Sequence, residues 1–473
     1  MSKGHGFPAL AAHHYFHGRE VNLQLAQLAA LIAYSGLFIA FGLYISRRVK
    51  KADDFLVAGR SLGPGLLAAT FLAANIGAGS TVGAAGLGYA YGLGAWWWVG
   101  SAGIGSLILA NTVGPKIWAL AAKNGWRTVG DYLDYRYSRS VRGLIAVLLW
   151  AGTLMILAGQ LIAISQILEV VAGVPKWQGC IIGGVVVTTY FSAGGLLASA
   201  WVNVIQLTVK FAGFLLAVPV GLRAIGGWSA LQPTLAASQK LGIEGVLYYV
   251  AILVPSFIIS PGLIQKLYGG RDQAAVRKGI NWNAAGLLMF AFAPAILGAI
   301  AHSQYPDLAN RELALPTLMT KLLPGWLGLL TLAAVFSAEI SACDAILLML
   351  SSSLSIDLYE TFLRPAASER DILLAGRIAA VLGALMGVLL AIELPSIIAA
   401  LQIFYTLMAV ALFAPLLVGL YSRRPTARRA MVTIIASVIV TLFTHFMTGG
   451  AGIWVLPPSL IGIAAGFVIM ITP

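Results

Sequence analysis

Thirteen stretches of roughly 20 apolar residues run through this sequence, each bounded by charges, Gly-Pro pairs or polar loops. That length is what one α-helix needs to cross a bilayer. Together they place about 60% of the chain in lipid, which leaves no room for a large extramembrane catalytic domain. Of the 473 residues, 59% are hydrophobic and 10% charged, against about 25% charged in soluble domains. Open sheets cannot span lipid, and no ten-residue alternation of a barrel strand is present. The expectation is an all-α polytopic membrane protein with one membrane domain.

The spans are expected near 23–45, 64–91, 93–114, 143–170, 177–192, 199–221 and 244–264, then 279–301, 323–353, 373–392, 394–420, 430–447 and 454–472. The net charge of +13 is collected in alternate loops rather than over one face, so no nucleic acid partner is implied. One side holds Arg47, Arg48, Lys50, Lys51 and Arg60, the 116–142 segment and the 266–278 loop. It also holds Arg364, Arg370, Arg377 and the run Arg423, Arg424, Arg428 and Arg429, which makes 22 of the 30 basic residues. The positive-inside rule then puts the N-terminus outside and the C-terminus in the cytoplasm, in the plasma (inner) membrane. Thirteen crossings give opposite termini, as this requires. The first run lacks a basic n-region and a cleavage site and reads as a retained helix. His13, His14 and His17 have a spacing a metal could use, but no acidic or Cys partner is near, and a polar exposed tail is expected. Cys180 and Cys343 fall inside apolar stretches, so no disulfide framework is implied.

Two spans are interrupted. The 64–91 span contains Asn75-Ile76-Gly77-Ala78-Gly79-Ser80-Thr81, and the 244–264 span carries Pro255, Ser256, Ser260, Pro261 and Gly262. Broken helices five spans apart run in opposite directions, as an inverted five-helix repeat requires, with solute and ion held by unwound backbone at mid-depth. The competing reading is plain helix packing through small residues such as Gly79 and Gly83. The glycines from Gly77 to Gly88 follow no strand, so they do not form a dinucleotide fingerprint, and no HExxH or GxxxxGK[ST] occurs. Among ionisable residues, Lys210, Glu339 and Asp344 lie deep in spans, with Glu169 and Glu393 near outer ends. Such groups are costly in lipid and usually functional.

Asp53-Asp54-Phe55-Leu56-Val57-Ala58-Gly59-Arg60-Ser61-Leu62 ahead of the first break, with Gly88-Tyr89 and Gly92 after it, resembles the entry to the sodium:solute symporter family. Tyr190 with Gly194-Gly195-Leu196 and Trp201 to Gln206 is similar to its signature between the fourth and fifth core helices. Pro261-Gly262 with Gln265-Lys266 resembles the end of its sixth, and Ser341 with Asp357-Leu358-Tyr359 its eighth and the loop after. The similarity runs in order from about residue 30 onward.

This resemblance implies the leucine-transporter fold: a tail at 1–22, a peripheral helix at 23–45, five-helix repeats at 64–221 and 244–420, and two further helices within 430–473. It implies a sodium site of backbone carbonyls on the first core helix, here Ala73 and Ile76, with Ala338, Ser341 and position 342 on the eighth. Ala342 departs from the family's usual second hydroxyl. The family's aspartate on the fifth core helix is matched by uncharged Asn203, and Asp344 is the candidate for the displaced carboxylate. Positions matching the central cavity are Asn75, Ser80, Thr81, Trp98, Val99, Gln160, Ser260, Gln402 and Tyr405. None is charged, which points to a small neutral solute or a monocarboxylate held by helix N-terminal amides. For Trp96, Trp97 and Trp98 an interfacial aromatic belt is the alternative.

The residues support the ion site without the family. Ala338, Ser341, Ala342 and Ala345 share one helix face by their three and four spacing. Hard cations without thiolate or imidazole ligands need oxygen, which unwound carbonyls and a serine supply; the alternative for Ser341 is a hydroxyl bonding back to its own helix, against which stands its placement opposite the break. Counting residues from the centre sets Lys210 near the level of Glu339 and predicts a structural ion pair; the alternative is Lys210 as a proton-coupled stand-in for sodium.

The expected function is sodium-coupled symport of a small organic solute by alternating access. Na+ is the coupling ion, with no organic cofactor; the partners are solute, sodium and lipid bilayer, with no obligate protein partner evident. Proton-coupled symport is the alternative in mechanism. A transport-derived sensor is the alternative in class, against which the sequence ends at Pro473 directly after its last span. A membrane-embedded enzyme lacks a visible His, Ser or carboxylate constellation.

Overall fold

The computed structural model describes residues 57–472 and a few isolated positions between 29 and 44, each helical. The tail at 1–22, with its histidines, and most of the expected span at 23–45 lie outside the described residues. The chain first forms α1 (Pro64–Asn75), a 3-10 turn (Ala78–Ser80), α2 (Val82–Tyr91), α3 (Trp96–Asn111), α4 (Val113–Asn124) and α5 (Val129–Arg136). It continues through α6 (Arg139–Ala172), α7 (Lys176–Ala224), α8 (Trp228–Ala237), α9 (Ile243–Ile259), α10 (Pro261–Tyr268), α11 (Gln273–Phe290) and α12 (Phe292–Gln304). The last elements are α13 (Ala314–Lys321), α14 (Gly325–Ser352) running into a π-helix (Ser353–Leu363), α15 (Glu369–Glu393), α16 (Ile397–Tyr421), α17 (Ala427–Thr448) and α18 (Pro458–Ile471). No named strand occurs among the described residues.

Local chemistry places the helix ends. Pro64, Pro261 and Pro458 sit in the first turns of α1, α10 and α18, where the missing N–H costs nothing. Thr128 and Asp131 form a reciprocal capping box on α5, and Ser368 and Asp371 do the same on α15. Gly173 ends α6 at φ 64°, a left-handed conformation that only glycine adopts freely. Nine helical stretches among the described residues are long and apolar enough to cross a membrane. The stretch Gly325–Leu363 has 83% of its most apolar window buried, against 33% for α17, so α14 is central and α17 peripheral.

The spans expected at 177–192 and 199–221 belong to one helical element, α7, of 49 residues. A straight helix of that length would measure ~73 Å, more than twice the hydrocarbon core. Its two ends instead lie on one side of the bundle. Lys176 Nζ donates to the carbonyls of Ile392 and Leu394, at the end of α15, while Gly221 sits against Leu323, just before α14.

Both expected interruptions are present. α1 and α2 are separated at Ile76–Thr81, and α9 and α10 at Ser260 (ψ 120°). The segment that enters α1 bonds to the one that leaves α10: Leu62 N–H donates to the Gly269 carbonyl (2.9 Å) and Arg271 N–H to the Leu62 carbonyl (3.0 Å). The two broken helices therefore run in opposite directions, side by side.

Candidate functional site

The first break decides what the centre of the molecule can bind. In a continuous helix the Ala73 carbonyl would accept from Gly77 N–H and the Ile76 carbonyl from Ser80 N–H. Here Gly77 N–H donates to Ser80 Oγ (3.0 Å), and Ser80 N–H to the Gly77 carbonyl (3.0 Å). Two carbonyls are thus released in the buried centre of the bundle, since Ala73 and Ile76 are both fully buried.

Gly77 permits the break to lie against α14. A Cβ there would come to 2.5 Å of Ala342 Cβ and 2.6 Å of Gln160 Oε1. The small-residue face of α14 is therefore what the break packs on, as the spacing of Ala338, Ser341 and Ala342 predicts. Gln160 Oε1 accepts from Ala78 N–H (2.8 Å), and Trp98 Nε1 donates to the Gly79 carbonyl (2.8 Å), so both brace the turn.

The oxygen atoms of the expected sodium set do converge. Ser341 Oγ lies 2.9 Å from the Ala73 carbonyl and 3.1 Å from that of Ala338. The position between them is taken by a side chain: Lys210 Nζ donates to the carbonyls of Ala73 and Ile76 (3.2 Å each) and to Ser341 Oγ. Lys210 is 0% exposed. Among the described residues no ion pair joins it to Glu339. Glu339 Oε1 instead accepts from Thr81 Oγ1 (2.9 Å). The released carbonyls are the reason, since both lie within reach of the lysine stem; the Ala73 carbonyl also accepts from Ser341 Oγ (2.9 Å). Asn203, seven residues before Lys210, is buried on the same stripe of α7. Asp344 is buried as well, and its charge acts on Lys266.

Beside the break lies a chamber in two small parts. One, of ≈ 40 Å³, is lined by Asn75, Gly79, Ser80, Trp98, Gln160 and Tyr405. The second, of ≈ 60 Å³, shares Asn75 and Tyr405 and adds Ser256, Ser260 and Lys266. Six of the expected solute positions, Asn75, Ser80, Trp98, Val99, Gln160 and Tyr405, thus meet in the first part, and Ser260 joins them in the second. Thr81 is fully buried behind the break and holds Glu339. Gln402 is not in the chamber: it lines a separate apolar groove with Tyr248, Leu442 and His445. Leu401, one residue and about 100° away on α16, faces the chamber instead. Trp98 is interior, 3% exposed and edge-on to Tyr249 and Tyr405, rather than part of an interfacial belt.

Sequence reasoning missed three contributors. Lys266 was counted with a basic loop, yet it is 1% exposed, lines the chamber and donates to the Thr70 carbonyl (3.2 Å). The break at Ser260 starts a fresh helix that carries it inward. Asn283 Oδ1 accepts from Asn75 Nδ2 (2.9 Å) and fixes the amide at the chamber wall. Glu312, from a connecting segment, ties α6 to the start of α16 toward one end: its carboxylate accepts from Ile397 N–H (3.0 Å), Ile398 N–H (3.2 Å) and Gln166 Nε2 (3.1 Å).

Toward the other end, Arg142 pairs with Asp131 (2.8 Å), Asp357 (2.9 Å) and Asp134 (3.6 Å), while Thr128 Oγ1 donates to Asp357 (2.6 Å). The chamber thus lies beside both helix breaks, with these two hydrogen-bonded clusters on either side of it. Among the described residues no three His, Cys, Asp or Glu side chains converge as metal ligands, so a cation here would rest on carbonyl and hydroxyl oxygens.

Comparison with known proteins agrees with this geometry. The chain is 29% identical to the sodium/pantothenate symporter of Escherichia coli (strain K12), over 93% of this chain and 95% of that one. It is 25% identical to the sodium/glucose cotransporter of Vibrio parahaemolyticus, over 90% and 86%. Its fold matches the solved substrate-bound, outward-open state of a Na+-coupled sialic acid symporter with a TM-score of 0.79, at 20% identity, covering 94% of this chain and 96% of that one. The model of the sodium:solute symporter family matches residues 55–437. Proteins of this family are membrane transporters rather than enzymes, and sodium is the coupling ion for which it is named. With that match spanning most of the chain and the paired helix breaks in place, the protein belongs to the sodium:solute symporter family.

Proposed function

We propose that this protein is a cation-coupled secondary transporter that imports a small organic solute, neutral or with one carboxylate, across the plasma membrane by alternating access. The observation that carries this reading is the chamber between the two helix breaks, walled by Asn75, Ser80, Gln160, Ser260 and Tyr405. Repeats at 64–221 and 244–420 are the moving units in this reading, with the N-terminus outside and the basic loops in the cytoplasm. Unwound backbone at mid-depth offers hydrogen-bonding groups to a solute that lipid-facing helices cannot.

Lys266 favours the monocarboxylate. It is the one charged side chain on the chamber wall among the described residues. A carboxylate drawn to it would lie between Ser260 and the start of α10, whose N-terminal amides favour negative charge. The names of relatives are compatible with this class, pantothenate being one cargo named among them.

The test is a thermal-shift screen of neutral solutes and monocarboxylates on the purified protein, in sodium chloride and in choline chloride. A small monocarboxylate should stabilise the protein, because a ligand that binds only the native state raises its stability. Lys266→Met and Asn75→Leu should each abolish that shift. A stabilising solute whose effect survives both substitutions binds elsewhere and refutes this placement.

A further inference from the structure

We infer that the Lys210 ammonium is a tethered cation that takes the place of a sodium ion between the Ala73 and Ile76 carbonyls and Ser341. The inference deepens the transporter reading and rests on it only in treating the first break as a cation site. It concerns that site alone.

Donor and acceptor numbers match. A lysine ammonium carries three N–H donors and no acceptor. It faces three oxygen atoms, the carbonyls of Ala73 and Ile76 and the hydroxyl of Ser341, and donates to all three. The two carbonyls have lost their helical donors to Ser80 and Gly77, so the lysine fills a vacancy created by the break. Lengths of 3.2 Å are those of N–H···O hydrogen bonds. A metal ion drawn to the same oxygens would have to share the position of Nζ, with like charge.

Ala342 points the same way. A sodium ion at this place is short of one hydroxyl, since residue 342 offers only a methyl group, and that methyl is packed against Gly77. A three-donor ammonium has no use for the missing oxygen. The ligand that sodium lacks and the cation that replaces it are thus found at one site.

One carboxylate stands near enough to compensate the ammonium, and one lysine opposes it. The charged groups whose fields reach Lys210 are Glu339 on α14 and Lys266 on α10. Glu339 is held by Thr81 and compensates the ammonium from a distance without capturing it. α1 brings only its carbonyls. Burial of an ammonium is costly unless it is hydrogen-bonded and compensated; here its three N–H groups all find oxygen, and Glu339 supplies the opposite charge.

The test follows sodium alone, so no transported solute is needed. Full-length purified protein is melted across a sodium chloride series, with choline chloride holding the ionic strength constant. The wild type should show no saturable sodium-dependent rise that depends on Ser341. Lys210→Ala, which empties the position, should gain a saturable rise in melting temperature, and Lys210→Ala with Ser341→Ala should lose it. A wild-type rise that Ser341→Ala abolishes overturns the inference. So does a folded Lys210→Ala that stays indifferent to sodium. If Lys210→Ala does not fold, equilibrium binding of radioactive sodium to wild type and Ser341→Ala decides. Binding that Ser341→Ala removes overturns the inference; no binding, or binding indifferent to Ser341, supports it. Failure of the transporter reading would appear only in the solute screen and leave this result untouched.

Discussion

Glu312 joins three parts of the bundle, and removing its carboxylate should loosen one end of the chamber. The side chain is 2% exposed. Glu312→Ala strands three donors: the N–H groups of Ile397 and Ile398 in the first turn of α16 and the Nε2 of Gln166 on α6. An unmet buried donor costs about 1–3 kcal/mol, and the carboxylate at a helix N-terminus adds about 0.3–1 kcal/mol. Water reaching this end will satisfy some of the three, so a loss of about 3–5 kcal/mol is expected. Glu312→Gln keeps an acceptor and the shape but loses the charge, and should cost about 1–2 kcal/mol. Thermal melting of the purified protein measures the ranking, with exposed Glu244→Ala as control, expected within about 0.5 kcal/mol of wild type. Native Cys180 and Cys343 are buried, so a cysteine placed at Ser80 reports access to the chamber. It should react faster with an impermeant thiol reagent from the Glu312 side in the Glu312→Ala background. A melting temperature for Glu312→Ala equal to that of Glu244→Ala would refute the reasoning.

Gly77→Ala should destabilise by about 1–3 kcal/mol, the usual cost of overpacking, because its Cβ would meet Ala342 at 2.5 Å and Gln160 at 2.6 Å. A melting curve unchanged from wild type would show that the break can move away from α14. Arg142→Gln leaves Asp131, Asp134 and Asp357 facing one another without their cation. It should cost about 3–5 kcal/mol, as breaking a buried pair does. Asp357→Asn in the same chain should recover part of that loss, because contacting sites couple. A double variant no more stable than Arg142→Gln would mean that Asp357 is not the partner that matters.

What could be read from the residues was the gross plan, because length and charge mark span ends and because Gly77, Gly79 and Ser80 stand out in an apolar run. The chamber was legible where a polar residue sat at the break itself, as Asn75, Ser80 and Ser260 do. Gln402 was misplaced because α16 is apolar on nearly every side, and no stripe marks which face turns inward. Lys266 was hidden by its neighbours: a basic residue four places before Gly270 and Arg271 looks like part of their loop until the break at Ser260 is seen to begin a new helix. Lys210 is the most instructive case. Its cost in lipid was plain, and its demand for a partner followed from that. Matching depths by counting residues pointed to Glu339, the nearest carboxylate, because a sequence displays only side-chain partners. Backbone carbonyls have no letter. They become acceptors only where a helix lets them go, and the break at Ile76–Thr81 releases two of them within reach of one lysine stem.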